Sequence, residues 1–203
     1  YRVPSYSRSG DRVVLSGLIA CRFHADKHIA TLPKDHRPGK ILVFDVNTHQ
    51  WPARIDIHPN GKVFWVAGWG TSHGWASLDG ISFDLPKTKK TALPLKGDCK
   101  RYSKKKYAAP TVVSKDGIVR LSGLIDCPFN FGQGHNFARL PAAMRPAKRL
   151  ISNVNAHERS VRVDVLPNGN VRLEFGWRQE WGRIVKKNGF IPIKARGWVS
   201  LDG

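Results

Sequence analysis

Arg54-Ile55-Asp56-Ile57-His58-Pro59-Asn60-Gly61-Lys62-Val63-Phe64-Trp65-Val66-Ala67 is the stretch whose reading decides the fold class. Its first four residues alternate polar and apolar, the pattern of a strand with one buried face. Asn60-Gly61 tolerates positive φ and supplies a tight turn. Lys62–Ala67 then returns as the partner strand. The hairpin recurs 108 residues later as Arg162-Val163-Asp164-Val165-Leu166-Pro167-Asn168-Gly169, followed by Val171–Phe175.

Working outward, more blocks recur in the same order. Leu15-Ser16-Gly17-Leu18-Ile19-Ala20-Cys21 returns as Leu121-Ser122-Gly123-Leu124-Ile125-Asp126-Cys127. Leu32-Pro33 with Arg37-Pro38 returns as Leu140-Pro141 with Arg145-Pro146. Trp75-Ala76-Ser77-Leu78-Asp79-Gly80 returns as Trp198-Val199-Ser200-Leu201-Asp202-Gly203. Arg12–Ile19, Ile41–Val46 and Trp75–Phe83 read as further strands, the last bulged at Asp79-Gly80. No stretch carries a 3.6-residue apolar period. The expectation is an all-β chain of two tandem homologous β-sandwich or barrel-like modules joined by a basic linker. Repeat 1 is residues 1–85, the Lys-rich linker 86–106, and repeat 2 residues 107–203, with an insertion at about 177–197.

Hydrophobic residues make up 41% of the 203-residue chain, enough for a core and too many for wholesale disorder. No apolar run is long enough to span a bilayer as a helix. Lys and Arg number 34 against 15 Asp and Glu, a net charge of +19. Such a surface attracts polyanions: nucleic acid, acidic glycan or silicate. The cations crowd in Pro86–Lys106, where Lys87, Lys89, Lys90, Lys100, Arg101, Lys104, Lys105 and Lys106 are the candidate anion-binding groups. Arg183, Lys186, Lys187, Lys194 and Arg196 form a second candidate cluster in and beside the insertion.

The order V-x-L-S-G-L-I, L-P-x3-R-P, R-[IV]-D-[IV]-x-P-N-G-x-V, W-[AV]-S-L-D-G resembles the β-rich repeat of some phage tail-fibre proteins and of extracellular proteins of marine invertebrates. Those modules are structural or adhesive. With its non-Met start, duplicated module and Lys/Arg excess, the chain resembles the hexaxilin-type axial-filament proteins of glass sponges. That resemblance implies a secreted, self-associating protein filament around which silica is laid down. The expectation is therefore a non-enzymatic, extracellular structural protein that assembles with itself and binds silica or silicic acid. Ammonium and guanidinium groups pair with deprotonated silanols and reduce repulsion between condensing species.

The alternative is an adhesin or lectin of tail-fibre type recognising acidic glycans, with Trp69 and Trp181 stacking on sugar rings. Trp75 and Trp198 occupy equivalent repeat positions and read as packing residues. Nucleic acid is disfavoured, because no zinc finger, helix-turn-helix, GxxG or RNA-recognition signature accompanies the charge. His24, His28 and His36 have metal-like spacing only if helical, and the second copy lacks them, so no metal or cofactor is expected. There is no Gly-x-Ser-x-Gly, phosphate loop or dinucleotide fingerprint. Cys21, Cys99 and Cys127 allow one disulfide with a leftover thiol, or an intermolecular bridge. Arg37-Pro38 and Arg145-Pro146 recur together with Asp56 and Asp164, and a buried or half-buried Arg–Asp pair within each repeat is expected to specify the fold.

Overall fold

A computed structural model describes residues 1–21, 26–49, 51–68, 74–129, 134–156, 159–174 and 195–203, and the protein is nearly all β. In repeat 1 the strands are β1 (Ser5–Ser9), β2 (Arg12–Ser16), β3 (Leu18–Cys21), β4 (Lys27–Thr31), β5 (Leu42–Thr48), β6 (Trp51–Ile57), β7 (Lys62–Gly68), β8 (Gly74–Ser77) and β9 (Ser82–Asp84). Short strands β10 (Thr91–Ala92) and β11 (Lys100–Arg101) follow. Repeat 2 then runs through β12 (Thr111–Lys115), β13 (Ile118–Ser122), β14 (Leu124–Phe129), β15 (His135–Arg139), β16 (Leu150–Ala156), β17 (Arg159–Val165), β18 (Asn170–Glu174) and β19 (Ala195–Ser200). Among the described residues the sheets are open and none closes into a barrel.

The two halves use one plan. A four-stranded antiparallel sheet has the order β4-β7-β6-β5 in the first and β15-β18-β17-β16 in the second. Leu42 faces Ile57 across β5–β6 just as Leu150 faces Val165 across β16–β17. Register slips at His28/Ala30 and at Asn136/Ala138, the same place in both.

The recurring blocks have physical jobs. Gly61 and Gly169 both sit at φ +87, and a Cβ there would run into Arg37 and Leu32, or Arg145 and Leu140. Arg37 Nε donates to the Leu32 carbonyl at 3.0 Å, and Arg145 Nε to that of Leu140 at 3.1 Å. The Leu-Pro-x3-Arg-Pro block thus folds its own short 3-10 turn over the Asn-Gly turn. Asp56 pairs with Arg54, and Asp164 with Arg162 and Arg149, so the Arg–Asp pairs are made by these arginines, while Arg37 and Arg145 bond the Leu32 and Leu140 carbonyls.

The expected strand Arg12–Ile19 is broken at Gly17, whose φ of +95 lets the chain pass under the Val3 carbonyl. Trp75–Phe83 is likewise two strands, β8 and β9, split by the Asp79-Gly80 turn. The stretch 86–106 does more than connect: β10 pairs with β12 and β11 with β14, so it completes two sheets of the second half.

Each half has its own buried cluster. Val13, Leu15, Phe44, Ile55, Trp65 and Phe83 belong to the first, and Ile125, Cys127, Phe137, Val171, Leu173 and Val199 to the second. A third cluster, Ile41, Val43, Leu124 and Trp198 with Tyr107, joins them. Successive side chains of a strand face opposite sides. Leu42 and Phe44 therefore fill the first core while Ile41 and Val43 face the second repeat.

Candidate anion-binding site

The basic stretch is anchored piece by piece. Lys87 Nζ lies 2.9 Å from an Asp11 carboxylate oxygen, and Lys90 Nζ donates to the Asp84 carbonyl at 3.2 Å. Lys89 is exposed. Lys100 lies 3.7 Å from Asp126 on the adjacent strand. Arg101 is half-buried and donates to the Lys104 carbonyl at 3.2 Å, while its Nε is buried without a hydrogen-bond partner. The structure thus splits the candidate cations. Lys87 and Lys100 are partly neutralised by carboxylates, whereas Lys104, Lys105 and Lys106 are exposed with no carboxylate in ion-pair range among the described residues.

Those three lysines sit on a built turn. Ser103 Oγ accepts the backbone N–H of Lys105 at 3.3 Å and of Lys106 at 3.1 Å. Lys40 reaches in from repeat 1 and donates to the Lys105 carbonyl at 2.7 Å. The Lys106 ammonium lies 5.4 Å from the Tyr107 ring centre, and Tyr102 packs on Tyr107 at 5.6 Å with half its surface open. Two covalent and hydrogen-bonded anchors hold the turn: the Cys99–Cys127 disulfide before it, and Ile41, which exchanges backbone bonds with Lys106 and Ala108, after it. The result is a row of adjacent ammonium groups on a fixed base, beside an exposed aromatic ring. Each exposed charge contributes little alone, on the order of 0–1 kcal/mol per pair, but adjacent ones sum their potential.

Cys21 occupies the position of Cys127 yet is a free, half-buried thiol, while Cys127 is bridged to Cys99. Trp69, Trp181, Arg183, Lys186, Lys187 and Lys194 lie outside the described residues, as does the side chain of Arg196, whose backbone pairs with Pro128 in β19. Among the described residues no three His, Cys, Asp or Glu side chains gather as metal ligands. His28 instead bonds Thr31 and His36 bonds Asp35.

A buried polar site lies between the repeats, in the recurring Trp198–Gly203 block. Asp202 accepts N–H bonds from Gly123 at 2.7 Å and from Val43 at 2.9 Å, and Ser200 Oγ donates to the Val43 carbonyl at 2.6 Å. Burial pushes the Asp202 carboxyl up to about 6, against those donors. Above it the Arg54 guanidinium lies 4.9 Å from the Trp198 ring centre. Burial opposes Arg54's charge, but its bonds to Asp56 outweigh that and raise its pKa.

Repeat 1 holds the same motif, which among the described residues bonds only within its own half. Asp79 accepts from Gly17 at 3.0 Å and bonds Ser77, but it is exposed. Both copies carry a matching leading block, Tyr1-Arg2-Val3-Pro4 and Tyr107-Ala108-Ala109-Pro110, which does not separate them. Tyr107 joins the junction cluster, whereas Tyr1 is fully exposed.

Comparison with protein-family models, with curated proteins and with solved structures gives no match to this chain.

Proposed function

We propose that this protein is a non-enzymatic, extracellular structural protein that assembles with copies of itself and gathers an anionic phase, silica for preference, on its lysine-rich turn. The observation that carries the reading is the Ser103–Lys106 turn. It presents three successive ammonium groups that no described carboxylate neutralises, on a base held by a disulfide and by the second-half sheet. The Cys99–Cys127 disulfide supports an oxidising, extracellular setting. Polysilicic acid suits such a turn because its silanolates are numerous and closely spaced, so several weak pairs form together.

Self-assembly draws support from the junction between the repeats. Val43, Arg54, Tyr107 and Trp198 are covered there. Their counterparts Ile151, Arg162, Tyr1 and Trp75 are more open: Ile151 is 60% exposed against 0% for Val43, and the Arg162 side chain 42% against 11% for Arg54. Within these 203 residues one junction is filled and the two matching faces of a second are open, and a second copy joined head to tail would fill them. Such a heterologous contact propagates into a filament or closes into a ring. Arg149 stands where Ile41 stands in the filled junction, and in the second it would lie over an aromatic ring rather than within an apolar cluster.

The test adds prehydrolysed silicic acid, and separately neutral and sulfated glycans, at rising salt. Rapid silica precipitation that is lost when Lys104, Lys105 and Lys106 are changed together to Gln supports the reading. Precipitation unchanged by those substitutions, or saturable sugar binding that persists at high salt, refutes it. Assembly is read separately by sedimentation against concentration. The Ile151→Asp variant should stay monomeric where the parent grows, and a parent that is monomeric throughout removes the assembly half alone.

A further inference from the structure

A second contact between the repeats lies away from the Asp202 junction, where the sheet β1-β2-β9 meets the sheet β10-β12-β13. Arg12 pairs across strands with Asp84, and Val14 with Ser82, so alternation puts these four side chains on one face of the first sheet. Arg120 pairs with Val113 in the second sheet. The two faces touch: Arg120 Nε and Nη2 each donate to the Asp84 carboxylate at 3.3 Å. Val113 is buried there, although it belongs to neither repeat's core cluster. Arg120 stands where repeat 1 has Val14, so this guanidinium is particular to the second copy.

The charges at this contact do not balance. The Asp84 carboxylate serves both guanidiniums, since Arg12 Nη1 also donates to it, at 3.4 Å. Arg12 Nη2 is bonded to the Ser82 hydroxyl, a neutral partner. Lys90 Nζ donates to the Asp84 backbone carbonyl at 3.2 Å and brings a third cation to the same corner. Burial and the neighbouring Arg120 charge together hold the Arg12 pKa below its ordinary value, against the pull of Asp84. Arg12 Nε and Arg120 Nη1 bond to no protein group among the described residues, and neither is buried. Close by, Lys87 is paired with Asp11, while Lys115 lies beside Gly10 with no carboxylate in ion-pair range among the described residues.

We propose that Arg12 and Arg120 form a binding site for a small tetrahedral dianion, phosphate or sulfate, which bridges the two repeats. A guanidinium presents its N–H donors in a fixed fork that fits the oxygens of such an ion, and here two forks converge from facing sheets. A dianion supplies the charge that Asp84 alone does not, because Arg12, Arg120 and Lys90 stand against that single carboxylate. The Arg12 and Arg120 side chains are only 27% and 13% exposed, so the opening suits one small ion rather than a polymer. The half-buried setting also spares these pairs the screening that weakens open ones. The site shares no residue with the lysine turn and does not rest on the silica reading.

The test follows the arginine Nε–H signals by NMR while inorganic sulfate is added to the 203-residue protein, with ionic strength held constant by sodium chloride. The signals of Arg12 and Arg120 should move together and saturate, while that of Arg54, at the other contact between the repeats, stays still. Arg120→Lys keeps the charge beside Asp84 but loses the fork, and should weaken binding about tenfold with an unchanged circular dichroism spectrum. Arg120→Val, which restores the residue of repeat 1, should remove saturation altogether, read by calorimetric titration of sulfate. Changing Lys104, Lys105 and Lys106 together to Gln should leave the titration as it was, so failure here and failure of the lysine-turn reading are told apart. Shifts that rise without saturating, saturable binding that Arg120→Lys leaves unchanged, or binding lost with the three lysines overturns the proposal.

Discussion

The Asp202 carboxylate holds the backbone N–H of Val43 at 2.9 Å, across the junction between the two repeats and 159 residues away in the sequence. Its counterpart Asp79 makes the same bond to its own repeat, through Gly17, and makes no such reach. One motif thus serves as an exposed turn in one half and as a buried clasp in the other.

The clasp makes stability depend on pH in a definite direction. The Asp202 pKa in the folded protein is raised to about 6, above its unfolded value near 3.8. Between those values the folded state binds more protons than the unfolded state, so this group's contribution is largest below about pH 4 and falls as pH rises through 6. At neutral pH the loss amounts to about 3 kcal/mol at most. Asp202→Asn should abolish that slope. At pH 4.5 it should also cost about 1–3 kcal/mol, because an amide cannot accept from both N–H groups, and that cost should shrink or reverse by pH 7.5 as the parent loses its own contribution. Urea unfolding of the two proteins at pH 4.5 and 7.5 reads the difference. Equal slopes would refute the assignment.

Arg54 and Arg162 are homologous, but they should respond differently to truncation. Arg54→Ala leaves Asp56 buried without its main partner and removes the cover over Trp198, at a cost of about 3–5 kcal/mol. Arg162→Ala leaves Asp164 still bonded to Arg149, and Arg162 is far more exposed, so its loss should be much the smaller. Denaturant midpoints measured at one pH compare them directly, and equal costs would count against a specialised junction.

The cysteines should sort into one bridge and one thiol. Labelling of the unreduced, denatured protein should modify Cys21 alone. Cys99→Ser together with Cys127→Ser should cost about 2–4 kcal/mol, while Cys21→Ser should be nearly neutral. If the bridge also holds the lysine turn in place, the double variant should precipitate silica more slowly than the parent at a temperature where both are folded. Equal rates would show that the turn needs no such anchor.

Anion capture by the lysine turn should weaken steeply with salt, since exposed charges are screened within about 10 Å at 0.1 M ionic strength. Changing Lys104, Lys105 and Lys106 to Gln should flatten that dependence, whereas Lys87→Gln should barely alter it, because Lys87 already faces Asp11. Precipitation rates across a salt series provide the measurement.

The all-β character was legible because alternation and Asn-Gly turns are local signals, and both hairpins formed where Arg54–Ala67 and Arg162–Gly169 put them. Local signals also carried the duplicated Leu-Pro-x3-Arg-Pro staple. The strand breaks at Gly17 and Asp79-Gly80 were harder to see, since an apolar run does not show where another backbone will cross it. The pairing of Cys99 with Cys127 was equally hidden, because Cys21 carries the same local context as Cys127 and only the position of β11 beside β14 chooses between them. Lys104–Lys106 and Lys87 look alike in the sequence; what separates them is whether a carboxylate from a distant turn arrives alongside.

What the sequence by itself determined is the repeating plan: which residues pair as hairpins, which glycines turn, and how much positive charge the surface carries. These rest on contacts between near neighbours and on composition, and two copies of a block obey them alike. Only the tertiary structure decided where the copies diverge. Burial is set by what packs from elsewhere in the chain, so Val43 and Ile151 share a pattern and differ in what covers them.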